Sequence, residues 1–541
     1  MTERSRLHTE WLLLAGFCGF LFFFGLAHFG LVGADEPRYA QVAREMFARH
    51  DWITPTLGGQ PWLEKPALYY WQAMAAYGTF GVSDWAARLP SAVDATLIVI
   101  AVYLFLKRFR PGFHLDGALM AAATAGVIGF ARAASMDMPL AAMFTVALLS
   151  WYGWFESGNK GFLALSYVSL ALATLAKGPV APVLAVLIVA AFALARGESR
   201  IIWRTLWLPG ILLFCVVALP WYVAVQLRNP EFFRVFILRH NLARFGTNLY
   251  HHPQPFWYYL PVTLVGLLPW VIFVIAAAGE TIRTWWTERR EFLHSEDALN
   301  AFLLIWLFVP PLFFSLSRSK LPGYIVPALP AGTLLLAEYV RRRARDTDRP
   351  SLGLTLMHSL AAVLPVAPAL MIQYVVLQRK FPWGQAAIIS CVFTLVLAAA
   401  ISITLRTRLG LRALRFVTLV PVVLTVAAVL RIGAPALDAT LSARPLAEEI
   451  RRVETQKQPV AALRISRELE FGLHFYRDQS IPRYETGQIP RQEHVVVAPE
   501  GSRSNVEKWA AGRRVSYLGR FAPQHVEYYW VGPSVTAALA K

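Results

Sequence analysis

Long apolar runs separated by short polar breaks dominate the chain. About 20 mostly apolar residues carry a helix across a bilayer. Runs of that kind fall near 11–32, 89–106, 117–134, 138–155, 162–175, 178–195, 206–226, 256–279, 300–316, 322–339, 355–377, 386–404 and 416–431. They predict thirteen transmembrane helices. The first run, Trp11 to Val32, is longer than a signal-peptide core and has no small-residue cleavage site before Asp35, so it is read as a span. Two longer polar intervals, 33–88 and 227–255, interrupt the series. Within the first, Pro37–Ala48 sets Tyr39, Val42 and Met46 against Arg38, Arg44 and Glu45, a pattern suited to a helix lying at the membrane surface.

Near residue 432 the pattern changes. Helix-like stretches (Pro445–Val453, Val506–Ala511) alternate with β-rich runs (Val460–Ile465, His494–Val497, Val526–Val531), which predicts a small α/β domain. The expected fold class is therefore a polytopic α-helical membrane protein over residues 1–431, with an α/β domain over 432–541. No internal repeat is evident, which weighs against transporters built from inverted halves.

Composition agrees. Of 541 residues, 56% are hydrophobic and 16% charged, with a mean hydropathy of +0.45. Soluble domains run at about 45–50% apolar and about 25% charged, so a soluble enzyme and a disordered chain are both excluded. The net charge of +18 changes the picture more. With the N-terminus inside, the inside segments hold 21 Lys and Arg against 14 in the outside loops, although the outside loops are longer. The positive-inside rule then sets the N-terminus in the cytoplasm, and thirteen spans put the C-terminal domain outside. Cys18, Cys215 and Cys391 all lie in apolar runs and offer no disulfide framework.

The remaining outward charges need a reason. Asp35-Glu36-Pro37-Arg38 follows the first span directly, and carboxylates at that depth are expensive unless paired or used. Asp35 can be a solvated helix end paired with Arg38, or a general base or metal ligand. Glu64-Lys65 sits among Trp62, Tyr69, Tyr70 and Trp71, either as a snorkelling belt or as part of a site. Asp137 and Lys177 each stand alone in short outside turns, and Ser317 to Tyr324 brings Lys320 and Tyr324 to a third. The second long loop contributes His240, Arg244, His251 and His252. Arg38, Lys65, Lys177, Arg244 and Lys320 form a one-sided set of cations where positive charge is normally avoided, as a membrane-embedded phosphate would need. No Gly-rich nucleotide loop is present, so neither a nucleotide nor a nucleic acid is an expected partner. Glu64 with His240 or one of His251 and His252 could hold a divalent cation such as Zn, Mn or Mg, although His251-His252 before Pro253 reads better as a surface turn.

Asp35-Glu36-Pro37-Arg38-Tyr39-Ala40, Trp62–Trp71, Phe256–Pro261 and Ser319–Tyr324, in that order, resemble the bacterial aminoarabinose transferase-like branch of the protein O-mannosyltransferase superfamily. These are integral-membrane glycosyltransferases of the GT-C fold. The resemblance implies a sugar donor carried on a polyprenyl phosphate, with transfer at the periplasmic face of the bacterial inner membrane. It implies that Asp35 is the family's acidic residue after the first span, and Asp35, Lys65 and Asp137 are the expected catalytic residues. It also implies that Arg38, Lys65, Lys177 and Tyr324 surround the lipid phosphate, where the outward charge pattern adds Arg244 and Lys320, and that Glu64 is a carboxylate associated with a divalent metal. The number and spacing of histidines in the second long loop vary among related sequences, which leaves the imidazole ligand open between His240 and His251. Aminoarabinose transfer to lipid A is the expected reaction. Transfer of a hexose, hexosamine or other pentose to another envelope glycan or protein uses the same parts. A lipid-linked-sugar flippase would instead need polar residues threaded through the spans.

Overall fold

A computed structural model describes residues 3–243, 254–288, 290–295, 298–343, 349–377, 383–454 and 456–533. Each of the thirteen expected runs overlaps helix, but fewer are unbroken spans. Among the described residues, eight helices are long and apolar enough to cross a membrane by themselves, and ten qualify when two bent pairs are each counted once. The helix Asp84–Phe109 has 26 residues, about 39 Å at 1.5 Å per residue. Its start is fixed by Ser83, whose hydroxyl accepts from Ala86 N at 3.2 Å.

Three spans depart from the simple run. The first helical segment covers Glu3–Cys18 and Gly19–Phe23, so it begins earlier than Trp11 and leaves residues 24–32 as turns leading into the site. The run 117–134 is split into His114–Ala122 and Ala125–Ala131, bent by 59°. The run 256–279 is split into Phe256–Gly266 and Val271–Glu288, bent by 115°. Hydropathy averages over a window and does not register a break of a few residues, whose freed backbone groups are satisfied by packing. Thus Ala125 N donates to Leu268 O at 2.8 Å, joining the two breaks.

The lipid-facing surface follows the helical period. On Leu208–Arg228, the exposed side chains include Leu208, Leu212, Val216, Leu219, Val223 and Leu227. That is an apolar stripe at helical spacing turned outward, the reverse of a soluble helix. Inside, Trp306, Trp270 and Tyr103 are fully buried in the shared core.

At one end of the bundle, Asp35–Ala48 and Leu68–Phe80 form a surface layer with a short hairpin of β1 (Thr56–Leu57) and β2 (Gln60–Pro61). The C-terminal domain rests on this layer. Its four-stranded sheet comprises β3 (Val460–Ala462), β4 (His494–Pro499), β5 (Val515–Phe521) and β6 (Val526–Val531) in the order β3-β4-β6-β5. Only β3 and β4 are parallel. The helix Arg467–Arg477 packs on Asp35–Ala48, and Phe475 joins a core with Tyr39, Val42, Met46 and Tyr69. Arg444 ties the domain down by donating to Asp84 at 2.9 Å and Asp438 at 2.7 Å, while Tyr476 OH donates to Asp84 at 2.8 Å.

Candidate active site

The Asp35-Glu36 pair opens a helix, and its two members have different fates. Glu36 is 6% exposed. Its carboxylate accepts from Arg88 (2.6 Å), from Val32 N (2.9 Å) and from Ala134 N (2.9 Å). Arg88 in turn donates to the carbonyls of Leu26, Phe29 and Gly30. This is a satisfied buried pair that fixes the turns after the first span. The Asp35 side chain is 54% exposed and accepts from Arg38 at 2.5 Å. Only Asp35 remains available to a substrate.

Arg38 is the centre of the cluster. Its guanidinium lies 5.2 Å from the Tyr39 ring, 5.4 Å from Trp62 and 5.6 Å from Phe471, so aromatic faces hold it in place. Burial alone would lower its pKa, but Tyr39, Asp35 and Glu64 more than offset that and keep it firmly charged. Burial, with Asp35 adding, pushes the Tyr39 phenol well up, so it stays a neutral hydroxyl. Arg38 Nε, Trp62 Nε1 and Tyr70 Oη are buried and have no hydrogen-bond partner among the described residues. Three orphaned polar groups in one cluster mark a place where a ligand would satisfy them.

The second half comes from other helices. Asp137 opens the helix Asp137–Ser157 and forms a close ion pair with Lys177, at the end of Lys160–Lys177. Ser135 Oγ donates to the second Asp137 oxygen at 3.0 Å. The Lys177 ammonium lies 4.6 Å from the Tyr324 ring. Gly323 is needed beside it, since a Cβ there would come within 2.6 Å of the Asp137 carboxylate. Lys65 is half-buried in the turn before Leu68–Phe80, next to Glu64. Lys320 is buried, and burial lowers its pKa. It donates to Ser317 O at 2.5 Å and Gln254 O at 3.2 Å, strapping two loops together.

His240 Nε2 and Glu64 Oε1 approach to 3.7 Å from two different loops. Arg244, His251 and His252 lie outside the described residues. Among the described residues, no group of three His, Cys, Asp or Glu side chains is placed to hold a metal ion. Of the residues singled out from the sequence, the structure brings Asp35 and Glu64 to Arg38, and Asp137 and Tyr324 to Lys177. Sequence reading did not foresee Tyr70 as a site hydroxyl or Phe471. Tyr70 lay within a noted aromatic stretch, whereas nothing local marks a phenylalanine more than 430 residues from Arg38.

Comparison with known proteins fits this geometry. Residues 12–236 match the family model for dolichyl-phosphate-mannose-protein mannosyltransferase. The undecaprenyl phosphate-α-4-amino-4-deoxy-L-arabinose arabinosyl transferase 1 of Pseudomonas fluorescens Pf-5 is 31% identical over 392 residues, which cover 71% of this chain and 67% of the relative. The chain belongs to the aminoarabinose transferase family. The corresponding transferase of Pseudomonas aeruginosa UCBPP-PA14 is 33% identical over 351 residues, spanning 63% of this chain and 61% of that relative's length. In fold, the crystal structure of ArnT from Cupriavidus metallidurans bound to undecaprenyl phosphate superposes with a TM-score of 0.74 at 23% identity, covering 96% of this chain and 98% of that one. The chain is thus a multi-pass membrane protein of GT-C fold. Within this aminoarabinose transferase relative, the sites contributed by the first, third, fourth and fifth spans converge at the end of the bundle that carries the C-terminal domain.

Proposed function

We propose that this protein transfers a sugar from a polyprenyl-phosphate donor to an envelope acceptor, with aminoarabinose to a lipid A phosphate as the reaction. It would do so in the bacterial inner membrane with the site facing the periplasm. The observation that carries this reading is that Arg38 and Lys177 are each held by a carboxylate and an aromatic ring, in two clusters linked through Tyr39, on which Asp35, Arg38 and Asp137 all act. Paired cations of this kind suit a developing phosphate charge better than a soluble neutral substrate. The relatives, undecaprenyl phosphate-α-4-amino-4-deoxy-L-arabinose arabinosyl transferases by name, support the same donor and sugar.

In the reaction, the bond between the anomeric carbon and the donor phosphate oxygen breaks, and its electron pair leaves with the polyprenyl phosphate. An acceptor phosphate oxygen forms the new bond to that carbon. Because that acceptor is already ionised, no proton has to be removed. Asp35 then orients Arg38, and Asp137 orients Lys177, so that both cations face the leaving phosphate. Lys65, half-buried next to Glu64, takes a share of that charge. Tyr324 packs on Lys177 and limits its freedom. Were the acceptor a hydroxyl, Asp35 is the exposed carboxylate placed to accept its proton.

Glu64 and His240 are chemically fit for a divalent cation, but two donors are fewer than an all-protein Zn site uses. A Zn, Mn or Mg ion there would add Lewis-acid stabilisation of phosphate, its remaining ligands coming from phosphate and water. Labelled sugar transfer from lipid donor to separable lipid A in proteoliposomes tests the reading. Wild-type chain should transfer label, and both Asp35→Asn and Lys65→Ala should abolish it while remaining membrane-inserted. Near-normal transfer by both variants would overturn the assignment.

A further inference from the structure

The candidate site occupies one end of the bundle, and a second feature lies at the other. Asp137 opens the helix Asp137–Ser157 and Lys177 closes the helix Lys160–Lys177, so Ser157 and Lys160 mark the end away from the site. Between these two helices and the helices Val180–Arg196 and Leu208–Arg228 lies an apolar groove of about 280 Å³. Leu148, Leu163, Val186, Val189 and Phe214 form its walls, and the short helix Arg200–Thr205 borders it with Ile202 and Thr205. Among the described residues no charged side chain lines it. Tyr167 Oη donates to Thr205 O at 2.6 Å and Trp151 Nε1 donates to Thr205 Oγ1 at 3.1 Å, which leaves Ser166 as the other polar side chain on the walls. Such a lining takes hydrocarbon and penalises polar groups.

The mouth of the groove is basic. Lys160 stands one turn before Leu163, with its ammonium 5.9 Å from the Trp207 ring. Arg204 adjoins Thr205, with its guanidinium 6.0 Å from the Trp154 ring, and Arg200 opens the same short helix. All three are exposed, and among the described residues none of them forms an ion pair. The acids of the adjoining turns are engaged elsewhere. Glu156 accepts from Arg110 at 2.7 Å, and Glu198 accepts from Arg196 at 2.9 Å and lies 3.2 Å from His294. Trp203, next to Arg204, is 73% exposed, as suits an indole at the headgroup level. Three cations without a carboxylate, around the open end of an apolar groove, match the headgroup and acyl chain of an anionic lipid.

We propose that this groove binds an anionic phospholipid from the leaflet opposite the site, with its phosphate on Lys160 and Arg204 and one acyl chain between the helices. In the orientation proposed above that leaflet is the cytoplasmic one. Charge complementarity selects the anionic headgroup, and the apolar walls select the chain. The lipid bridges the far ends of the two helices whose near ends carry Asp137 and Lys177. Ala190 offers an independent handle, since it lines the groove, is half-buried and lies apart from the three cations. Ala190→Leu therefore fills the groove and leaves its basic mouth in place.

The test uses the full chain, delipidated in neutral detergent and titrated with phosphatidylglycerol or with phosphatidylcholine of the same acyl chains. Bound lipid is counted by native mass spectrometry. A basic side chain at a membrane surface is worth about fivefold in affinity for an anionic lipid. The double variant Lys160→Gln/Arg204→Gln should therefore bind phosphatidylglycerol about 25-fold more weakly and phosphatidylcholine as before. Ala190→Leu should weaken both lipids. Phosphatidylglycerol should raise the melting temperature of the wild-type chain and not that of the double variant. Equal affinity of the wild-type chain for the two lipids overturns the proposal, as does a double variant that keeps its preference for phosphatidylglycerol. Loss of undecaprenyl phosphate binding in Ala190→Leu also overturns it, since the groove would then belong to the donor's chain.

Discussion

Asp35 and Glu36 are adjacent, chemically alike and equally placed in the sequence, yet only one can meet a substrate. The helix they open rotates successive side chains by about 100°, turning Glu36 into the bundle onto Arg88 and leaving Asp35 outside beside Arg38. The two should separate on mutation. Glu36→Gln leaves Arg88 buried against a neutral partner, a change that costs about 3–5 kcal/mol when a buried pair is broken, so its signature is loss of thermal stability in detergent. Asp35→Asn removes a half-exposed charge and should leave the melting temperature within a few degrees while transfer disappears. Equal melting losses in the two variants would contradict this division. The sequence pointed to this pair of acids because it directly follows a span. It could not show which of the pair is consumed by the fold, since Arg88 lies 52 positions away.

At the scale of elements, the segment Pro322–Ala328 does more than start a span. It is a 3₁₀ stretch that delivers Tyr324 to Lys177 and places Gly323 against Asp137. Gly323→Ala would force the Asp137 carboxylate to move and so misalign Lys177. A fall in kcat of at least about tenfold is expected, since small misplacements of a positioned group are costly, with the protein still inserted and folded. Gly178, at φ +93°, is under a parallel restraint because a Cβ there would meet Phe236 at 2.7 Å. Normal kcat in Gly323→Ala, measured alongside circular dichroism, would show that the close approach has no consequence. Elements of this kind are partly legible. Pro-Gly marks a break, but nothing local says which carboxylate will lie against the glycine.

For the whole molecule, the C-terminal domain contributes a side chain to the Arg38 cluster. Phe471 closes the aromatic box around Arg38, and Arg444 and Tyr476 tie its domain to Asp84. Phe471→Ala should raise KM for the donor several-fold through loss of one cation–π contact, worth about 0.5–2 kcal/mol, whereas Phe471→Trp should retain near-normal values. A chain ending after Leu441 should still insert, because its spans precede that point, and should lose transfer. Steady-state kinetics in proteoliposomes decide both. Full activity of the shortened chain would reduce the domain to a cover.

What the sequence determined by itself was the membrane architecture and the short list of outward charges. The bilayer demands long apolar runs wherever a helix crosses, so that demand is written locally and can be read locally. Only the tertiary structure decided where spans bend, which acid of a pair is spent, and that Phe471 and Arg38 meet. Those outcomes depend on contacts between residues far apart in the chain, and packing in three dimensions, not periodicity in one, selects them.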